Sequence, residues 1–294
     1  MNILIVGASG LVGGNIYHHL KAVSEFNIYG TYNSFEVPNL IRFNSSINYK
    51  SYPKIILETA WDVIIHTGAL TNVDFCEENI ADSEYYTVES TINLVKLSKV
   101  HHSKLIYIST DYIFDGKDGP YREDAQVNPL SIYGKHKLIS ENIVSQLNDY
   151  LILRITNVYG DELRNKNFLS RITQDLLLGN EKSVSGATDQ FASPINALDI
   201  AKAIFNLIID DKKGVYHLAS TDYLSRVQFL QIIKKYFNLL KIESYKTSDL
   251  KQKAERPLRG GLNAEKFLTE YSDFHFTNID DYILKLLKAH DAKL

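Results

Sequence analysis

A glycine-rich turn follows the first apolar segment of the chain. Residues 3 to 6, Ile-Leu-Ile-Val, are typical of a buried strand, and glycines at 7, 10 and 13 come directly after them. Such glycines allow a tight turn and a close approach to a pyrophosphate, which the amino terminus of the next helix favours. Three spaced glycines alone are a weak signal, but their position between an apolar strand and a helix makes the signal specific. We therefore expect a dinucleotide site rather than a purely structural turn. Its predicted contacts are Gly7, Ser9, Gly10, Leu11, Val12 and Gly13.

Further apolar runs alternate with helical patterns through the first half of the chain. This alternation predicts an α/β fold with a Rossmann-like, doubly wound parallel sheet and right-handed crossovers. The predicted strands are residues 26–32, 62–66, 105–108 and 150–155. Beyond residue 155 the pattern loosens, with predicted helices at 167–178, 196–209, 225–239 and 279–287 and a strand at 214–218. We therefore expect a cofactor-binding domain over residues 1–155. Residues 156–294 should form mainly a smaller C-terminal α/β substrate-binding lobe, with helix 196–210 returning to the first domain.

The end of the second predicted strand bears on the choice of cofactor. An NAD site usually has an acidic residue about 20 residues after the glycines, but this strand ends in Tyr32-Asn33-Ser34. No carboxylate there repels a 2′-phosphate, which favours NADPH over NADH and makes Asn33 a candidate cofactor contact. Gly68 and Ala69 follow another strand, where their small size lets the cofactor pass close to the backbone.

The strand at 105–108 leads into residues suited to acid–base chemistry. Thr110 and Asp111 follow it, and Asn128-Pro129 is typical of a helix cap with proline at the first helical position. On that helix Tyr133 and Lys137 are four residues apart and share one face. A neighbouring cation favours the ionised form of a phenol, so Tyr133 is predicted to exchange a proton with a substrate oxygen. A surface contact between the two is the alternative.

Composition excludes several classes of function. The chain has 294 residues, of which 45% are hydrophobic, and a net charge of −3 without a basic stripe, so we expect no nucleic-acid partner. The single Cys76 excludes an internal disulfide and suggests a reducing compartment. No apolar run approaches the roughly 20 residues of a membrane span, and no signal-peptide pattern follows Met1, so we expect a cytoplasmic protein without a membrane partner. The histidine pairs at 18–19 and 101–102 lack further ligands at metal spacing, and no metal site is predicted.

Several motifs together resemble the extended short-chain dehydrogenase/reductase superfamily, and within it the dTDP-4-dehydrorhamnose reductase family. The resemblance covers nearly the whole chain. It rests on residues 109–116 (Ser-Thr-Asp-Tyr-Ile-Phe-Asp-Gly), 129–137 (Pro-Leu-Ser-Ile-Tyr-Gly-Lys-His-Lys) and 158–160 (Val-Tyr-Gly), and on the pairs Asp189-Gln190, Ser193-Pro194, Tyr216-His217 and Arg256-Pro257.

The resemblance implies hydride transfer from a nicotinamide to the C4 ketone of a nucleotide-linked 4-dehydro-6-deoxysugar, converting dTDP-4-dehydro-L-rhamnose to dTDP-L-rhamnose. It implies that Tyr133 protonates the developing alkoxide, that Thr110 hydrogen-bonds the same oxygen, and that Lys137 holds the nicotinamide ribose and lowers the pKa of the phenol. The implied substrate contacts are Thr110, Asp111, Tyr112, Asn157, Gln190 and Arg256, with orientation of a loop or a structural cap as alternatives for Asp111. We expect a monomer or a homodimer.

This chain departs from the family pattern at a few positions. Glu89 and Asn157 replace a family asparagine and tryptophan, Arg259-Gly260 replaces Asn-Ser, and Asn15 replaces the acidic residue linked to a metal-bridged dimer. Tyr112 stands where dehydratases of the superfamily carry glutamate. Two alternatives remain: another nucleotide-sugar epimerase or dehydratase of this superfamily, and a non-catalytic NADP-binding regulatory subunit similar to the β subunit of methionine adenosyltransferase.

Overall fold

A seven-stranded parallel sheet lies at the centre of the protein. The structure, a computed structural model, describes residues 1–292. The strands of the sheet are β1 (Asn2–Val6), β2 (Asn27–Tyr32), β3 (Ile41–Arg42), β4 (Val63–His66), β5 (Lys104–Thr110), β6 (Tyr150–Ile155) and β11 (Gly214–His217). Their order is β11-β6-β5-β4-β1-β2-β3, and every neighbouring pair is parallel. The order reverses between β1 and β4, so the predicted doubly wound sheet is confirmed.

Eleven α-helices surround or extend this sheet in the described part of the chain. They are α1 (Leu11–Val23), α2 (Lys54–Glu58), α3 (Val73–Glu78), α4 (Ile80–Ser83), α5 (Ser90–His101), α6 (Ile132–Val144), α7 (Phe168–Leu177), α8 (Ala197–Ile209), α9 (Arg226–Tyr236), α10 (Glu265–Glu270) and α11 (Ile279–Asp291). A π-helical segment, Glu84–Glu89, lies between α4 and α5. Segments of this kind occur frequently near functional sites.

The predicted start of α6 at Asn128-Pro129 is wrong. The helix begins at Ile132, because the Ser131 hydroxyl accepts a hydrogen bond from the Gly134 amide at 3.2 Å and caps it. The Asn128 side chain instead donates to the Asp115 carboxylate.

Apolar residues cover both faces of the sheet. On one face Ile16 of α1 and Ile204 of α8 belong to a core that includes side chains of β1, β4, β5 and β6. On the other face Trp61 and Leu97 belong to a second core. Burial on both sides explains why these strands appear in the sequence as unbroken apolar runs. Helix α8 and strand β11 therefore lie with the sheet although they come late in the chain.

A smaller group of elements lies beyond β6. Helices α7, α9 and α11 share a core that contains Leu169, Phe229 and Ile283. Six further strands complete the described chain: β7 (Val158–Tyr159), β8 (Lys182–Ala187), β9 (Phe191–Ala192), β10 (Ile195–Asn196), β12 (Leu224–Ser225) and β13 (Leu240–Tyr245). The sequence analysis did not predict β13, which pairs with β8 and buries only Leu240. The division at residue 155 stays a prediction.

Within the described residues, every helix is too short or too polar to cross a lipid bilayer.

Candidate active site

Helix α6 lies against a 3₁₀ turn, Asp111–Ile113, that follows β5. A Cβ atom added at Gly134 would be 2.2 Å from the Tyr112 carbonyl oxygen, so only glycine permits this approach. The approach brings Tyr133 beside the strand end, where its ring meets the Tyr112 ring edge-on at a centroid distance of 5.6 Å. The Thr110 side chain is a further neighbour of the Tyr133 phenol. The structure thus brings Thr110, Tyr112 and Tyr133 together.

The phenol of Tyr133 keeps its proton at neutral pH. Burial raises its pKa, the neighbouring Thr110 hydroxyl opposes this change, and the charge of Asp111 adds to it. Burial is the largest cause of the shift, and the expectation that Lys137 lowers this pKa stays a prediction. A protonated phenol is suited to donate a proton to an oxyanion.

Lys137 is buried one helical turn beyond Tyr133. Its ammonium group donates to the Ile108 carbonyl oxygen at 2.5 Å and lies 4.0 Å from the centre of the Tyr107 ring. Burial lowers its pKa to about 7, and the charge of Glu141 opposes the shift. Glu141 itself accepts a hydrogen bond from buried Arg154 at 2.8 Å.

His66 at the end of β4 is also buried beneath this site. Burial and the nearby Lys137 charge lower its pKa to about 3, so it is neutral at pH 7. The Lys137 amine is therefore poorly hydrated, and its neighbours include the Tyr107 ring and neutral His66.

The glycine-rich turn forms a cradle that has no room for side chains. Gly7 has a φ of +92°, and a Cβ added there would be 2.8 Å from the Thr67 Oγ1 atom. A Cβ added at Gly13 would be 2.4 Å from the Gly7 carbonyl oxygen. Ser9, Gly10, Leu11 and Val12 lie at the amino end of α1. These residues fit the pyrophosphate of a dinucleotide, since backbone amides and a helix terminus meet at one turn.

The other predicted cofactor contacts lie at neighbouring strand ends. A Cβ on Gly7 would lie 3.1 Å from the Gly68 amide nitrogen, so the loop after β4 borders the cradle, with Ala69 next in the chain. Asn33 directly follows β2 on the other side of β1.

A narrow cleft on the far side of Tyr112 contains most of the predicted substrate contacts. Asp111, Tyr112, Asn157 and Gln190 line it. Asn157 has a φ of +41°, a conformation that asparagine tolerates better than most residues. Arg226 and Phe229, which the sequence analysis did not identify, also line the cleft. The only sequence signal for Arg226 is its position after Ser225, which caps α9 through a capping box with Gln228.

Arg256 does not line this cleft among the described residues. Its guanidinium donates to both carboxylate oxygens of Asp74 on α3, at 3.0 and 2.7 Å. It is thus part of a contact between α3 and the loop before α10.

Asp111 holds a loop in place. Its Oδ2 atom accepts hydrogen bonds from the Thr156 hydroxyl at 2.8 Å and from the Gly261 amide at 3.1 Å. Burial raises the pKa of this carboxyl, and the hydrogen bonds oppose that change. Among the alternatives, these contacts favour orientation of the loop.

The sequence of residues 1–287 matches the family model described as the RmlD substrate binding domain. The chain belongs to this family. The resemblance to dTDP-4-dehydrorhamnose reductases inferred from the motifs is confirmed at this level.

The chain is similar to proteins whose names describe different functions. The chain is 31% identical over 242 residues to methionine adenosyltransferase 2 subunit beta of Xenopus laevis, covering 80% of this chain and 72% of that protein. It is 28% identical to a dTDP-4-dehydrorhamnose reductase of Clostridium acetobutylicum, with a TM-score of 0.84 over 98% of this chain and 100% of the other. A dTDP-4-dehydrorhamnose reductase of Bacillus anthracis, crystallised with NADP, is 25% identical with a TM-score of 0.86, covering 98% and 99% of the two chains.

Proposed function

We propose that this protein is an NAD(P)H-dependent oxidoreductase that reduces the C4 ketone of a nucleotide-linked 4-dehydro-6-deoxysugar, with dTDP-4-dehydro-L-rhamnose as the substrate. The observation that carries the proposal is the Tyr133–Thr110 pair, which lies at the end of β5 and contains a phenol that stays protonated at neutral pH. Similarity over the full chain to reductases of this activity supports it.

The proposed roles follow from the geometry. The glycine cradle, Asn33, Gly68 and Ala69 hold the nicotinamide cofactor, which supplies the hydride when bound. Tyr133 donates its proton to the substrate oxygen as the ketone becomes an alcohol, and Thr110 hydrogen-bonds the same oxygen. A positioned acid of this kind contributes typically about 10² to 10⁴ in rate.

Lys137 has a proposed role in binding the nicotinamide ribose. Its ammonium now donates to the Ile108 carbonyl, and a ribose hydroxyl offers a second acceptor close to the same strand. We also propose NADPH over NADH, because no acidic residue follows β2 at Asn33, and the Bacillus anthracis relative was crystallised with NADP.

The experiment is an assay of NADPH consumption with dTDP-4-dehydro-L-rhamnose generated in situ, repeated with NADH. Wild-type protein should turn over the substrate, and Tyr133→Phe should lower kcat about 10²-fold or more while NADPH affinity is unchanged. Tyr85→Phe is the matched control, because Tyr85 is an exposed tyrosine on the π-helical segment. Equal turnover by wild type and Tyr133→Phe would remove the catalytic role.

A second candidate function is that of a non-catalytic, NADP-binding regulatory subunit. The 31% identity to methionine adenosyltransferase 2 subunit beta favours it. In that case wild-type protein binds NADPH but reduces no nucleotide sugar, and it co-purifies with a methionine adenosyltransferase. Reduction of a nucleotide sugar that depends on Tyr133 excludes this candidate as the sole function.

The remaining proposals concern the cellular compartment and the oligomeric state. The free, buried thiol of Cys76 is consistent with a cytoplasmic protein. The expected monomer or homodimer stays a prediction, which light scattering tests.

A further inference from the structure

Arg226 carries a charge that the protein does not neutralise. It is the first residue of α9, and its backbone amide donates to the Gln190 carbonyl oxygen at 3.1 Å. Its guanidinium lies 4.6 Å from the centre of the Phe168 ring. Across residues 1–292, the guanidinium makes no ion pair and no hydrogen bond with another side chain or with the backbone. Arg226 is half-buried, and buried arginines usually have a carboxylate partner, so a ligand could supply the partner that Arg226 lacks.

The charged groups around Arg226 do not compensate it. Burial lowers its pKa, and the positive charges of Arg171 and Arg256 act in the same direction. The Tyr112 and Tyr245 hydroxyls are the neighbours that oppose this effect, and phenols are neutral at pH 7. The nearby carboxylate of Asp74 is already paired with Arg256. Asp111 also lines the cleft, but its Oδ2 atom already accepts hydrogen bonds from Thr156 and Gly261, so no carboxylate pairs with Arg226 in the described structure.

Gln190 provides a second unsatisfied donor in the same cleft. It lines the cleft together with Arg226. Its Nε2 atom is buried and has no hydrogen-bond partner in the described structure. A buried amide without a partner is unfavourable, and an acceptor-rich ligand would satisfy both Gln190 and Arg226.

The cleft connects with the catalytic tyrosine. Tyr112 lines it and also contacts the Tyr133 ring at 5.6 Å. A ligand whose anionic part binds Arg226 can thus extend past Tyr112 towards Thr110 and Tyr133.

We propose that Arg226 binds the diphosphate of the nucleotide-sugar substrate, with Gln190 donating a further hydrogen bond to the same group. The planar fork of a guanidinium matches two phosphate oxygens, and its weak hydration suits a buried site. The identity of the ligand as a nucleotide sugar rests on the proposed function. Arg256, which the sequence analysis selected for substrate binding, donates to Asp74 of α3, and its contact with a substrate stays a prediction.

The experiment is calorimetric titration of the full chain with dTDP, UDP and inorganic pyrophosphate, without any turnover. Wild type should bind dTDP, and Arg226→Gln should weaken binding roughly 10- to 100-fold, as expected for loss of charge-assisted hydrogen bonds. Arg226→Lys should recover part of the affinity. Arg164→Gln is the matched control, because Arg164 also stacks on an aromatic ring, Phe35, at 5.0 Å but lies outside this cleft.

Three results would overturn the proposal: no binding of any of the three probes by wild type, unchanged dTDP affinity in folded Arg226→Gln, or an equal loss of affinity in Arg164→Gln. If Arg226→Gln does not fold, Arg226→Lys decides, since wild-type affinity in that variant counts against a bidentate contact and a several-fold loss supports it. Binding of dTDP that depends on Arg226, in a protein that reduces no dTDP-4-dehydro sugar, would leave this site standing and refute only the reductase.

Discussion

Burial determines the protonation of both Tyr133 and Lys137. The sequence spacing suggests a cation that stabilises a phenolate, but burial raises the pKa of Tyr133 and lowers that of Lys137 to about 7. Each group is thus shifted towards its neutral form. For a reductase this is the useful state of the tyrosine, because the reaction consumes a proton.

Lys137 should make stability depend on pH. Its folded-state pKa is about 7 against an ordinary value of 10.5, so between these values the unfolded chain binds a proton that the folded chain lacks. Stability of the wild type therefore rises with pH across this window. Lys137→Met removes this contribution. The free energy of unfolding of wild type should therefore rise by about 1–3 kcal/mol relative to that of Lys137→Met between pH of about 7 and about 9. Urea unfolding of both proteins at these values measures the difference.

Lys135→Met is the control for this measurement, since Lys135 is exposed on the same helix. It should follow the wild-type pH dependence. Parallel stability curves for wild type and Lys137→Met would show that the ammonium is not desolvated as described.

At the scale of elements, the contact between α6 and the turn after β5 positions the site. The Gly134 Cα faces the Tyr112 carbonyl so closely that an added Cβ would be 2.2 Å from the oxygen. Helix and turn contribute Tyr133 and Tyr112, respectively. Their spacing therefore sets the distance between the Tyr133 phenol and the cleft that Tyr112 lines.

Gly134→Ala should separate these two elements. We expect a loss of about 1–3 kcal/mol of stability from overpacking and a fall in kcat of roughly 10²-fold from displacement of Tyr133. Thermal unfolding and the NADPH assay measure the two effects. Lys135→Ala, on the exposed face of the same helix, should change neither, and normal kcat in Gly134→Ala would show that the helix position tolerates the shift.

At the scale of the whole molecule, contacts over long sequence distances connect the sheet to the C-terminal loop. Asp74 of α3 pairs with Arg256, and Asp111 after β5 accepts from the Gly261 amide. Both contacts join the nucleotide-binding region to the segment before α10. They place that segment beside the cleft.

A double-mutant cycle on Asp74 and Arg256 tests this connection. The pair is partly exposed, so we expect a coupling energy of about 0.5–1 kcal/mol between Asp74→Asn and Arg256→Gln in urea unfolding at neutral pH. Arg256 lowers the pKa of Asp74, so this stabilisation is present above the ordinary carboxyl pKa and is lost as pH falls through the lowered one. Strictly additive effects at neutral pH would contradict the connection.

The sequence predicted the elements whose local signals are strong. Unbroken apolar runs identify β1, β4, β5 and β6 because a parallel strand is buried on both faces. The glycine-rich turn is also identified from a short stretch of sequence, because its glycines directly follow the strand and lead into the helix. By contrast, β13 has a single buried residue and no apolar run, so it was missed. The start of α6 depends on which of Asn128 and Ser131 caps the helix, so it was misplaced.

The sequence by itself determined the fold class, the family and the set of residues around Thr110, Tyr133 and Lys137, because those depend on periodicity, glycine spacing and motifs along a short stretch of chain. Only the tertiary structure decided which arginine is paired and which is available. Arg256 and Asp74 are 182 residues apart, and Arg226 meets Gln190 across the cleft. Charge balance and desolvation depend on such distant neighbours, so the protonation of Tyr133 and the free charge of Arg226 follow from the folded chain alone.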